Sequence, residues 1–307
     1  MLTSAQLKGI LPATPTPVNA DDTINVAASK ALFSWLLQQG VDGLVPLGGT
    51  GEYGALARAE RIKFAGLAAE AMQGKGPVIA GVLDTGFHDA LQAGREFAQA
   101  GADGLLVVTP YYTNPTQAGI RDYFLRYADA SPLPILIYEI PYRTRHAVQP
   151  EILHELSKHE RIIGMKACNL DMYHFLQVVA GVAPDFTVLS GEDSLFPLHL
   201  AAGAKGGIIV TANLLPRAWR KVFDLATAGR TQEALALHRR FIPLMNMAFA
   251  ETNPGPMKAV MDLVGVDAPR MLAPLVSANP ELAKRLRAEV TRLLPEFEGT
   301  APAALAS

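Results

Sequence analysis

Lys166 stands inside a short apolar run, Ile162-Ile163-Gly164-Met165-Lys166-Ala167-Cys168, that follows the polar segment Ser157-Lys158-His159-Glu160-Arg161. An apolar run of that length reads as a buried strand rather than a helix. An ammonium is costly to bury, and burial favours the neutral amine. A neutral amine is the nucleophile that Schiff-base chemistry on a carbonyl requires. The competing reading is a strand-end lysine whose charged head reaches solvent. The remaining polar residues weigh between the two.

Gly48-Gly49-Thr50-Gly51-Glu52 is the second such group. Gly49, Gly51 and Gly54 have the glycine spacing of a dinucleotide fingerprint, but Glu52 would then face the pyrophosphate. Glycines of this kind also let successive backbone N–H groups converge on a small anion such as a carboxylate, with Thr50 adding a hydroxyl. A plain tight turn is the structural alternative. Tyr112 and Tyr138 each end an apolar run; beside an amine nucleophile a phenol can move the protons that imine formation displaces, and otherwise it packs. Arg143, just past Tyr138, is a candidate two-pronged clamp for a carboxylate or else a surface charge.

Metal chemistry finds little support. The seven histidines are scattered, and the nearest pair, His154 and His159, is expected on different faces of one helix. Glu192-Asp193, after a later apolar run, argues against a phosphate site there. Cys168, two residues beyond Lys166, reads as a small packing residue, because a reactive thiol would need electropositive support that the sequence does not show.

The elements that must position these residues recur along the chain. Gln39-Gly40-Val41-Asp42-Gly43-Leu44-Val45-Pro46-Leu47-Gly48, Ala100-Gly101 to Thr109 and Ala202-Gly203 to Thr211 repeat one unit: helix end, glycine turn, apolar strand. The first glycine of each is expected to end a helix in the left-handed conformation, ahead of a strand buried on both faces. Further strands are expected at Ile10–Thr14, Pro77–Leu83, Pro134–Glu139, Ile162–Ala167 and Phe186–Ser190. Eight strands separated by helix-length segments predict a (β/α)8 TIM barrel, in preference to an open doubly wound sheet. All the polar groups above then stand at strand ends, where such barrels build their sites. Beyond Asn213 the pattern turns helical, with Thr231–Ala250, Pro256–Val264 and Pro280–Leu294 expected as helices, the last capped by Asn279. The expected division is a barrel over residues 1–225 and a helical extension over 226–307, with a frayed tail from Glu296 to Ser307.

Composition bounds the function class. The chain has 307 residues, 50% of them hydrophobic, with a formal net charge of −2. That balance disfavours nucleic acid as a partner. A single cysteine excludes a disulfide framework and points to a reducing compartment. With no signal-like N-terminus and no long apolar run, the expectation is a cytoplasmic protein with no membrane partner.

Six motifs in order resemble the dihydrodipicolinate synthase / N-acetylneuraminate lyase family. They are Gly48-Gly49-Thr50-Gly51-Glu52, Tyr111-Tyr112, Tyr138-x-x-Pro141-x-Arg143-Thr144, Gly164-x-Lys166, Ser190-Gly191-Glu192-Asp193 and Glu251-x-Asn253-Pro254-x-Pro256-x-Lys258. The resemblance spans nearly the whole chain and implies a class I aldolase barrel that needs no metal or organic cofactor. It implies that Lys166 forms an imine with pyruvate, that Tyr138 moves protons, and that Gly49 and Thr50 hold the pyruvate carboxylate. Tyr112 resembles the tyrosine that reaches into a neighbouring subunit's site, and Arg143 the arginine that grips the carboxylate of aspartate semialdehyde. Gly191 and Ile208 fall at substrate-binding positions. The implied assembly is a homotetramer, a dimer of dimers.

Two positions depart from the synthase branch: Gly49 stands where a threonine is usual, and Tyr142 where a serine is usual. The activity expected from the resemblance is 4-hydroxy-tetrahydrodipicolinate synthase. The alternatives are an aldolase or dehydratase for a 2-keto-3-deoxy sugar acid and, from another class, a catalytically silent keto-acid-binding protein.

Overall fold

A computed structural model describes residues 1–299. Seven parallel strands, β1 (Gly9–Pro12), β2 (Ile79–Val82), β3 (Gly104–Val108), β4 (Ile135–Glu139), β5 (Ile162–Ala167), β6 (Thr187–Ser190) and β7 (Gly206–Ile209), lie in the order β1-β7-β6-β5-β4-β3-β2. Residues 44–45 close the ring between the two edges: Val45 N–H donates to Pro12 O at 3.0 Å and Leu44 N–H to Pro77 O at 2.9 Å. Their backbone partners are Ala13 on one side and Val78 on the other. The result is the expected (β/α)8 barrel. The second strand, expected as the apolar run ending at Gly48, is reduced to this pair of bridges. Pro46 has no N–H to give a neighbour, and Leu47 turns the chain at φ +65°.

Helices pack on the outer face, and the strands are buried along their whole length. Gly40, Gly101 and Gly203 sit at φ +77°, +99° and +121°, so each repeat does end its helix in the left-handed region, where a Cβ is disfavoured. Side-chain caps start several helices. Asn25 accepts from Ala28 N–H, Thr116 from Gly119 N–H, Asp171 from Tyr173 and His174 N–H, and Asn279 from Glu281 N–H.

The extension differs in detail from expectation. The expected Thr231–Ala250 helix is two, Thr231–Arg239 and Ile242–Ala248, because Pro243 is tolerated in the first turn of a helix and not in its interior. The expected Pro256–Val264 helix is a single turn, Gly255–Lys258, followed by a 3-10 turn, Met261–Val264. The last helix runs longer than expected, from Pro280 to Phe297. The frayed tail therefore does not begin at Glu296. Glu298 is buried and accepts from the backbone N–H groups of Arg217 and Ala218, both at 3.1 Å. These are orphan donors of the helix Pro216–Thr227, which a carboxylate satisfies well. The rest of the expected tail, 300–307, lies outside the described residues. Apolar side chains of barrel and extension form one continuous core, and the helix Pro216–Thr227 runs through residue 225.

Candidate active site

Strand register brings the two central residues together. Tyr138 on β4 is the direct neighbour of Lys166 on β5, so both side chains leave the sheet on the same side at the same level. Lys166 is 6% exposed, and its Nζ lies 4.7 Å from the centre of the Tyr138 ring. No carboxylate among the described residues reaches ion-pairing distance of this Nζ. Gly191, just past β6, gives the lysine its room. A Cβ there would meet Cys168 Sγ at 2.2 Å and Lys166 Cγ at 2.8 Å.

The glycine-rich loop is held from the extension. Glu52 sits in the left-handed region at φ +55° and is buried in an ion pair with Lys258, Oε1 to Nζ 2.7 Å. Lys258 also donates to Thr16 O at 2.9 Å, while Glu52 Oε2 accepts from Leu272 N–H at 2.8 Å. With both charges hydrogen-bonded on more than one side, the pair is satisfied in the interior. Thr50 Oγ1 accepts from Asn253 Nδ2 at 2.9 Å, which leaves the hydroxyl proton for another acceptor. At Gly49 a Cβ would lie 3.8 Å from the Tyr138 hydroxyl and 3.8 Å from Arg143 Cζ. The loop therefore stands beside both.

Lys166, Tyr138, Gly49, Thr50, Arg143 and Gly191 line one cavity of about 850 Å³. Two expected site residues do not. Ile208 is fully buried within β7, and Val210, two positions on, faces the cavity instead. Tyr112 stands at φ +71° and is 89% exposed, away from the cavity of its own chain. Of the histidines considered for metal binding, His159 lies beyond the helix Pro150–Leu156 that carries His154. His154 Nε2 is 2.9 Å from Gln177 O, and His159 Nε2 is 3.1 Å from Asp129 Oδ1.

Burial and like charge set the electrostatics. Glu192 is pushed up to about 7 by burial and by neighbouring Asp193. Asp193 is itself raised by burial, although it accepts from Val210 N–H, Thr211 N–H and the Thr211 hydroxyl. Burial also drives the Tyr138 and Tyr142 phenols and the Cys168 thiol well above their ordinary values. Cys168 is thus a protonated packing group, its Sγ 3.4 Å from Gly191 O. Behind the cavity, fully buried Glu139 lies 3.4 Å from His174 and raises the imidazole's pKa.

Sequence reasoning assigned no role to the part of the cavity wall built by the extension. Met245, Asn246, Phe249, Glu251, Thr252 and Asn253 all line it. The available signal was the Glu251-to-Lys258 motif, whose polar residues interrupt a helical stretch. Its contact with Thr50 links positions about two hundred residues apart, a distance that local pattern does not reach.

The comparisons with known proteins agree with this geometry. The model of the dihydrodipicolinate synthetase family matches residues 6–293. A 4-hydroxy-tetrahydrodipicolinate synthase of Methanopyrus kandleri is 36% identical over 295 residues, covering 95% of this chain and 98% of the relative. The solved dihydrodipicolinate synthase of Thermotoga maritima superposes with a TM-score of 0.90 at 30% identity, over 94% of this chain and 98% of that one. A chloride-inhibited dihydrodipicolinate synthase of Acinetobacter baumannii, solved in complex with pyruvate, gives a TM-score of 0.88 at 28% identity, over 92% and 97% of the two chains. A barrel with a buried lysine at the end of β5, matched along almost its whole length, belongs to the dihydrodipicolinate synthetase family of Schiff-base lyases.

Proposed function

We propose that the chain joins pyruvate to aspartate semialdehyde through an imine on Lys166, the reaction of 4-hydroxy-tetrahydrodipicolinate synthase in lysine biosynthesis. The observation that carries this reading is the Lys166 amine, buried over the Tyr138 ring, in a cavity that also holds Thr50 and Arg143. The Thr50 hydroxyl and adjoining backbone receive the pyruvate carboxylate, which aims its C2 carbonyl at the amine. The amine attacks C2, the carbinolamine loses water, and loss of a methyl proton from C3 gives an enamine. The enamine carbon then attacks the aldehyde of the second substrate, whose carboxylate Arg143 grips with two charge-assisted hydrogen bonds. The Tyr138 phenol, kept protonated by burial beside the amine, hydrogen-bonds the carbinolamine oxygen and orients it.

Tyr112 fits this scheme across a subunit boundary. An exposed tyrosine at a left-handed turn is available to a neighbouring chain, and a dimer of such contacts, paired again, makes the homotetramer. No helix among the described residues is long and apolar enough to cross a membrane, and the single cysteine suits the cytoplasm.

A second reading, aldol cleavage or dehydration of a 2-keto-3-deoxy sugar acid, is favoured by one feature. Neutral hydrogen-bonding groups, Ser194, Asn246, Thr252 and Asn253, surround the outer cavity and suit a polyol. The deciding experiment is a substrate panel: aspartate semialdehyde with pyruvate in the condensing direction, keto-deoxy sugar acids in the cleaving direction. Condensation faster than any cleavage supports the synthase reading; the reverse order replaces it.

A further inference from the structure

Tyr138 has a hydroxyl with no hydrogen-bonding side chain placed against it by the loop, because Gly49 contributes no atom beyond its backbone. The nearest point where such a side chain would begin is 3.8 Å from that hydroxyl. A proton displaced during imine chemistry therefore lacks a side-chain route from Tyr138 toward the glycine-rich loop. The same cavity holds a carboxyl group. Glu192 follows Gly191, the residue packed against Lys166, and lines the same cavity. Its backbone is held on both sides: Ser190 Oγ donates to Glu192 O at 3.2 Å and accepts from Glu192 N–H at 3.4 Å. Its side chain is not held. Oε1 is buried and, among the described residues, has no hydrogen-bond partner. Buried carboxyl oxygens without partners are uncommon and call for an explanation.

We infer that Glu192 is the acid–base group of the imine chemistry in this chain, a role that rests on the imine reading above. In the first step the amine lone pair closes the C=N bond and the C2–O bond breaks. The oxygen takes the proton from neutral Glu192 and leaves as water, so an iminium cation and a carboxylate remain side by side. In the second step that carboxylate removes a proton from C3 of the bound pyruvate. The C–H electron pair becomes the C2–C3 double bond of the enamine, and Glu192 is again the neutral acid. One group thus gives and recovers one proton, with no co-reactant required.

Its surroundings suit both forms. Lys166 on β5 and Cys168 just past its end act on its charge or feel it, as do Tyr138, Tyr142 and Asp193. Arg143 and Glu251 line the same cavity. Burial and Asp193 push the carboxyl up to about 7, near the value at which one group serves best as both acid and base. Asp193, by contrast, is tied down by Val210 and Thr211 and is not free to exchange protons with a ligand.

The test is exchange of the pyruvate methyl protons in deuterium oxide, followed by NMR without a second substrate and paired with borohydride trapping of the imine. In the wild type, exchange should rise toward pH 7 and fall above it, since removal of the C3 proton needs the carboxylate and loss of water needs the neutral acid. Glu192→Gln should still trap pyruvate on Lys166 after long incubation, yet exchange its protons roughly 10²-fold more slowly or worse and lose the rise near neutrality. Glu192→Asp, which keeps the acid, should exchange more slowly than wild type but retain the rise. Should the glutamine variant fail to fold, the aspartate variant decides alone, and wild-type exchange in it overturns the proposal. Trapping with unchanged exchange and pH profile in Glu192→Gln overturns the role of Glu192 only. Absence of trapping in the wild type overturns the imine reading itself.

Discussion

Gly191→Ala is a one-carbon change whose effect follows from distances. The new Cβ would stand 2.2 Å from Cys168 Sγ and 2.8 Å from Lys166 Cγ, where ordinary contacts begin at 3.4 Å. Both neighbours are buried, so neither can swing into solvent, and overpacking of this kind typically costs about 1–3 kcal/mol of stability. The larger consequence is for the amine. Pushing the stem of Lys166 moves Nζ off its line to the substrate, and a misplacement of about 1 Å can cost roughly 10²-fold in rate. Cys168→Ala separates the two effects, since it removes the sulfur contact but not the lysine contact. The double variant should regain most of the lost stability, measured by denaturant unfolding, and little of the lost kcat/KM for pyruvate. A Gly191→Ala enzyme with unchanged kcat/KM would refute the reasoning, because Lys166 could not then pack where the structure places it.

Three further outcomes are expected. Lys258→Ala strands Glu52 without its buried partner and should lower stability by about 3–5 kcal/mol; a loss below 1 kcal/mol in denaturant unfolding would mean that the pair does not anchor the glycine loop. Gly49→Thr has space for its Cβ at 3.8 Å from the Tyr138 hydroxyl, and a hydroxyl one bond further reaches hydrogen-bonding range. A bond worth about 0.5–1.5 kcal/mol in the transition state is a gain of roughly 2- to 13-fold in condensation kcat, and a fall in rate would argue against a relay at that place. Arg143→Ala should raise KM for the second substrate by roughly 10- to 150-fold, the equivalent of about 1.5–3 kcal/mol for a charged hydrogen bond, with KM for pyruvate little changed; equal increases in both would remove Arg143 from the second-substrate subsite.

Much of the frame was legible because it rests on local rules. The glycines at 40, 101 and 203 announce helix ends by their conformational freedom, and the apolar runs after them announce buried strands. Lys166 and Tyr138 could each be placed at a strand end, but their pairing across β4 and β5 depends on register, which a single run does not encode. The second strand was overdrawn, since apolar character persists through Pro46 and Leu47 after the ladder has ended. Pro243 broke a helix that periodicity alone would continue. The extension's share of the cavity, including the Asn253 contact to Thr50, was hidden because chain-distant contacts leave no periodic trace. Glu192 was visible as a residue type. That its Oε1 is buried without a hydrogen-bond partner among the described residues appears only once its neighbours are placed.

The central claim is that Lys166 is the amine that carries pyruvate. Incubation with pyruvate and borohydride, digestion and mass analysis test it directly. One added reduced pyruvate per chain is expected, on the peptide containing Lys166, and none in Lys166→Ala. Modification of Lys258 or Lys205 instead, or persistence of the adduct in Lys166→Ala, would contradict it.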